Sequence, residues 1–191
     1  MDPESRAVTE RLRQEAGATP EFERLRSTQD LDALARVLTE PERPLWAREM
    51  AAVRLGNARD ARAFETLVLL LNHREPDRCA AAAGALARLG DPRTARAAAA
   101  LATNELRVAY ALHPVRLLTA LRAPESAPAL ITTLERRLAK PHDPYWRVAL
   151  ACVEGLGSLG DPRAAHVLKA ACAHPRLMAA AAGALERVRP A

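Results

Sequence analysis

The chain has 191 residues, of which 49 % are hydrophobic but only 3 % aromatic. Its core must therefore come from Ala, Leu and Val, a palette that favours helices over the β-branched and aromatic strands of a sandwich or barrel. Net charge is +5, unevenly spread: residues 1–45 carry 10 acids and 7 bases, whereas residues 46–191 carry 13 acids and 21 bases. Almost all of that positive charge is arginine, with Lys140 and Lys169 the two lysines.

Cys79, Cys152 and Cys172 form no CxxC pair and sit in Ala-rich patterns. They read as buried thiols of a reducing compartment rather than a disulfide framework. No apolar run approaches the roughly 18 residues of a membrane span. The charged start Met1-Asp2-Pro3-Glu4-Ser5-Arg6 lacks a signal-peptide core, so the expected location is cytoplasmic.

In chain order, residues 4–16 read as a mixed-charge helix with a thin apolar stripe at Val8 and Leu12, ending near Gly17. Pro20 opens a short helix through Phe22 and Leu25. Thr28-Gln29-Asp30 starts a third, with Leu31, Leu34, Val37 and Leu38 on one face and Pro41 and Pro44 closing it. Residues 1–43 thus form an N-terminal helical cap that includes a half repeat.

From residue 44 a repeat emerges. Leu89-Gly90-Asp91-Pro92-Arg93 returns as Leu159-Gly160-Asp161-Pro162-Arg163. Gly suits the left-handed position after a helix, Asp caps the next helix, and Pro fits its first position. Anchoring on Leu55, Leu89, Leu121, Leu159 and the weak echo Val188 gives spacings of 34, 32, 38 and 29 residues, a period typical of helical solenoids. The first turn reads Leu55-Gly56-Asn57-Ala58-Arg59, with Asn57 as cap; the third has lost both Gly and Asp. Nine positions past each anchor lie Phe64, Ala98, Leu130 and Leu168, expected in the core. His113-Pro114 should break the third front helix. Extra length falls in the Pro-rich loop from Leu138 to Pro144, and a last helix over 176–188, followed by Arg189-Pro190, caps the stack.

The segment Trp146-Arg147-Val148-Ala149 through Leu156-Gly157-Ser158-Leu159-Gly160-Asp161-Pro162-Arg163-Ala164-Ala165 resembles the HEAT-like repeat family in its short bacterial form, of the phycobilisome (PBS) lyase type. The resemblance extends over roughly residues 44–188. It implies an all-α, right-handed α-solenoid of antiparallel helix pairs: four pairs and a capping helix over residues 44–191. It also implies that the second helix of each pair lines the concave face. The family includes scaffolds, adaptors, chromophore lyases and a distant branch of DNA glycosylases.

No catalytic constellation, metal-ligand spacing, phosphate loop or cofactor motif stands out. His142-Asp143 is the one acid–base pair in a loop, read as solvated. Trp46 and Trp146, each two residues past a proline, are expected to wedge against the preceding repeat; with Tyr145 they are secondary candidates for partner anchors. Seven past the anchors lie Arg62, Arg96, Pro128 and His166, expected to form a basic ladder open to partners. Four past lie Arg59, Arg93, Glu125 and Arg163; in the resembled family such arginines pair with the turn Asp of the neighbouring repeat. Lys169 lies ten past the last anchor.

The leading functional expectation is a non-enzymatic scaffold or adaptor that binds an acidic or extended protein segment. Its partner-binding residues are Arg62, Arg96, His166, Lys169, Arg59, Arg93 and Arg163. DNA binding through the basic groove and a lyase-type maturation helper are the alternatives. No cofactor, metal or membrane is expected, and the chain could be a monomer or a homodimer through its last helix.

Overall fold

The computed structural model describes residues 3–17, 19–140 and 142–188, and among these it holds helices and no strand. The chain forms two compact units, Met1–Thr94 and Ala95–Ala191.

In the first unit α1 (Pro3–Ala16), α2 (Pro20–Ser27) and α3 (Leu31–Thr39) precede α4 (Leu45–Asn57), α5 (Phe64–Leu71) and α6 (Pro76–Leu89). Asp30 caps α3 by accepting from the amides of Asp32 and Ala33, as its position predicts. The centre is α4, which packs against α1, α2, α3, α5 and α6. Its face of Ala47, Ala51, Ala52 and Gly56 is buried, and small side chains there let neighbouring helices approach closely.

One buried polar group stands inside that packing. Glu49 of α4 is 0 % exposed and meets two arginines, Arg11 of α1 and Arg78 of α6. Arg78 also reaches Glu15 at 2.6 Å and Glu75 at 2.7 Å, and Arg11 reaches Glu15 at 2.9 Å. The network clamps α1 onto α4 and α6, compensating for the thin apolar stripe of α1. Arg54 plays a similar part for α2, donating to the carbonyls of Leu25 and Thr28 at its end.

The second unit contains the rest of α7 (Thr94–Ala102), a 3₁₀ segment Glu105–Tyr110, α8 (Leu112–Leu121), α9 (Ser126–Leu138), α10 (Trp146–Leu159), α11 (Ala165–Ala171) and α12 (Met178–Val188). Helix α10 packs against α8, α9 and α12, while α11 packs against α9 and α12. A Cβ on Gly157 would lie 2.9 Å from the Cα of Ala184 in α12, so only glycine allows that approach. The expected break at His113-Pro114 falls slightly earlier. Arg107 leaves helical geometry (φ −123°, ψ 19°), and Pro114 sits in the first turn of α8, where its missing N–H is harmless. The final helix runs as expected, whereas Arg189-Pro190 and Pro141 lie outside the described residues.

The repeat register needs one correction. Left-handed residues mark the ends of the front helices at Arg59 (φ 59°), Gly90 (70°), Arg122 (50°) and Gly160 (70°). Equivalent leucines are therefore Leu55, Leu86, Leu118 and Leu156, all fully buried, and not Leu55 with Leu89. The first turn slips by three residues because Leu55-Gly56 mimics Leu89-Gly90 in sequence but lies inside α4. There, a Cβ on Gly56 would come within 2.9 Å of Leu67 and 3.1 Å of Ala85. Asp60, not Asn57, caps the following turn. Counting twelve from these leucines gives Leu67, Ala98, Leu130 and Leu168, all 0 % exposed. The third turn replaces its missing Asp with Ser126, whose hydroxyl accepts from the Ala123 amide and donates to the Leu118 carbonyl.

Two outcomes follow for stability. A left-handed backbone costs an L-residue roughly 1–2 kcal/mol, so Arg59→Gly should raise unfolding free energy by about 0.5–1 kcal/mol in urea titrations despite glycine's greater unfolded entropy. Arg78→Ala, which leaves the buried Glu49 with Arg11 alone and frees Glu15 and Glu75 from Arg78, should cost about 3 kcal/mol in the same assay.

Candidate functional site

The turn motif builds a closed ring. Asp91 Oδ1 accepts from the Arg93 amide at 2.9 Å, while the Arg93 guanidinium returns to Asp91 Oδ2 at 2.8 Å. Asp161 and Arg163 repeat the arrangement at 2.9 and 2.6 Å. Asp60 and Arg62 form the same ring, the side chains 2.6 Å apart. The expected Asp–Arg ladder between repeats is thus corrected: each pair closes within its own turn. The cause is geometric, since a capping Asp already faces the N–H two residues on, and the guanidinium of that residue folds back to the free oxygen. In each ring the arginine holds the carboxyl below the usual aspartate range.

Arg62 belongs to this row, and aligning the turns on Arg59 and Gly90 puts Glu65 at the position equivalent to Arg96. Arg62 is not unpaired, as the sequence suggested, because it also bridges to Asp32 of α3 at 2.7 Å. Arg93 lies over the Phe64 ring, 4.0 Å from its centroid. Together Asp32, Ala35, Arg36, Arg62, Glu65 and Arg93 line an open groove of about 620 Å³ along α3 and α5. The wall of this groove is zwitterionic and not purely basic.

The remaining candidates scatter. Arg59 is exposed in its left-handed turn position, and Arg96 and Lys169 are exposed on α7 and α11. In the second unit His166 Nε2 stands 2.9 Å from Glu135 Oε1, while its Nδ1 meets the Arg163 carbonyl at 2.9 Å. Both ring nitrogens then face acceptors, which only the doubly protonated imidazolium satisfies. The Glu135 contact pushes the His166 pKa above the ordinary histidine range.

The two tryptophans part ways. Trp46 packs 6.1 Å from the buried Phe22 ring of α2, a wedge as expected. Trp146 is half-buried with Arg147 and Arg176 over its ring, at 5.5 and 5.4 Å. Tyr145 beside it is 39 % exposed. His142 and Asp143 are not a solvated pair. Asp143 Oδ1 accepts from the Tyr145 amide at 3.0 Å, and its Oδ2 lies 3.4 Å from Arg137 Nη1. Sequence reading missed Arg137, because an arginine in the last turn of a helix ordinarily serves the helix dipole from solvent. Among the described residues no three His, Cys, Asp or Glu side chains gather as metal ligands. Cys79 and Cys152 are buried free thiols and Cys172 is half-buried; burial pushes the Cys152 thiol up. No described helix is long and apolar enough to cross a membrane.

Helix pairs joined by a left-handed residue and an Asp cap make this an all-α repeat protein of the solenoid class. The segment 148–174, which takes in most of α10 and all of α11, matches the family model of the PBS lyase HEAT-like repeat. Among solved structures, the chain is similar to one from the complex of CpcE and CpcF of phycocyanin lyase from Nostoc sp. PCC7120. The two share 24 % identity with a TM-score of 0.59, over 84 % of this chain and 65 % of that one. The present chain therefore spans just under two thirds of its structural neighbour, and at that identity the likeness is one of fold. No curated protein matches its sequence.

The His166–Glu135 contact has a pH signature. With the folded pKa raised above the unfolded value near 6.5, the stabilisation is complete below about pH 6.5 and disappears as pH rises through the folded pKa. In an NMR titration the His166 ring should titrate higher than in Glu135→Gln, in which it should return towards the ordinary histidine value.

Proposed function

We propose that this chain is a protein-binding helical-repeat subunit, with the α3–α5 groove as its recognition surface for an extended polypeptide segment. The observation that carries the reading is the groove itself: about 620 Å³, open, and lined by Arg36, Arg62 and Arg93 alternating with Asp32 and Glu65. Arg62 and Arg93 are pre-ordered by the Asp60 and Asp91 rings and Arg93 also by Phe64, so a partner would meet two arginines that have already lost part of their rotamer entropy. Of the acidic or extended segment that the sequence suggested, a mixed-sign wall favours an extended one of mixed charge. It also disfavours DNA. DNA binding gains when free arginines displace the cations condensed on the phosphates, and three of the turn arginines are already paired with aspartates.

A lyase-type maturation helper is a specific form of the same reading. The HEAT-like repeat at 148–174 and the fold shared with a chain of a two-protein phycocyanin lyase complex support it. In that form the partner polypeptide would be either a second helper subunit or the protein being modified.

The test is charge reversal at the groove. Arg62→Glu/Arg93→Glu should reduce recovery of the partner that co-purifies with the native chain at least tenfold, with helicity by circular dichroism unchanged. Undiminished recovery would remove the groove from the interface.

A further inference from the structure

Two arginines share one indole ring where α10 and α12 begin. Arg147 and Arg176 stand over Trp146, their guanidinium carbons 5.5 and 5.4 Å from the ring centre. Arg147 belongs to α10, and Arg176 lies two residues before α12, which packs against α10. Both are exposed, and among the described residues neither side chain has an ion pair or a hydrogen-bond partner. In the turn rings, by contrast, each arginine carries its own aspartate. Asp143, the acid nearest in sequence, is turned onto Arg137 and the Tyr145 amide and is almost fully covered.

An aromatic ring face attracts cations, so both guanidinia stay on one ring despite their like charge. Their carbons are therefore no more than about 11 Å apart, roughly the reach of three residues of extended chain. The residues beside them add donors and apolar surface. Trp146 is half-buried, and its Nε1–H is open to solvent with no partner among the described residues. Tyr145 is 39 % exposed and Met178 56 %, large side chains at the same end of the two helices as the arginines. Paired positive charge, a free indole donor and apolar surface complement carboxylates set among aliphatic residues. Nucleic acid is a poorer fit, because a base needs an open ring face to stack on and guanidinia stand over this one.

We propose that the surface formed by Tyr145, Trp146, Arg147, Arg176 and Met178 docks an acidic protein segment in extended conformation. Side chains two residues apart point the same way along such a segment. Carboxylates at positions i and i+2 then meet Arg147 and Arg176, each of which can grip two oxygens at once. Aliphatic residues at i−2 and i+4 meet Tyr145 and Met178. The surface lies in the second unit and shares no residue with the α3–α5 groove, so it stands or falls independently of that groove.

The chain has two tryptophans, and Trp46→Phe leaves Trp146 as its sole indole. The probe is the synthetic peptide acetyl-Leu-Ser-Asp-Ser-Glu-Ser-Leu-amide, titrated into that variant of the full chain at low salt. A saturable change in Trp146 emission is expected, with affinity falling as salt is added. The same peptide with Asn and Gln in place of its acids should bind at least tenfold more weakly. Arg147→Ala/Arg176→Ala, checked for native helicity, should weaken the acidic peptide at least tenfold by calorimetry, whereas Arg62→Glu/Arg93→Glu should leave its affinity unchanged. Absence of saturation, equal binding of the neutral peptide, or undiminished binding to the folded double-alanine variant would overturn the assignment. So would an oligothymidylate of the same charge binding as tightly as the peptide, which would make the surface a nucleic-acid site.

Discussion

Helix ends leave carbonyls and amides without partners, and a protein made of short helices has many such ends to satisfy. Here arginine meets that need repeatedly. Arg54 serves the end of α2, and Arg136 reaches the Thr103 carbonyl at 2.6 Å. Arg122 donates to Ser158 and Arg187 to Gly157, at 3.0 and 3.2 Å. A guanidinium carries its donors on a long apolar stem, so it can cross from one helix to the next where a shorter side chain would not. Much of the basic charge is therefore joinery, and the formal charge overstates what is offered to partners.

The turn row extends the same logic. Each capping Asp captures its own Arg two residues on, which stiffens the turn and removes one positive charge from the surface. What remains for recognition in the first unit is the patterned wall of the groove at α3 and α5. A repeat architecture leaves such a wall free to vary, because each helix pair is held by its neighbours.

Close approach of helices imposes the other constraint. Gly56, Gly155 and Gly157 lie where a Cβ would collide with Ala85, Thr119 and Ala184. These contacts explain the low aromatic content: large rings would hold the helices apart. They also explain why Gly56 misleads a reading based on turn motifs. It is a packing glycine, while Arg59 takes the left-handed position that a glycine would ordinarily occupy.

By itself the sequence determined the all-α fold, the pairing of helices, the Gly90 and Gly160 stops and the Asp91 and Asp161 caps. Each of these follows from local backbone preferences that act within a few residues. The phase of the first repeat, the partners of Arg62 and His166, and the burial of Arg137 were decided only by tertiary structure. Phase depends on which glycine another helix must touch, and charge pairing depends on which side chains meet across helices. Asp32 lies 30 residues before Arg62, and Glu135 lies 31 before His166. An arginine in a final helical turn looks the same in sequence whether it faces water or a closed loop, and here the loop over Arg137 makes the difference.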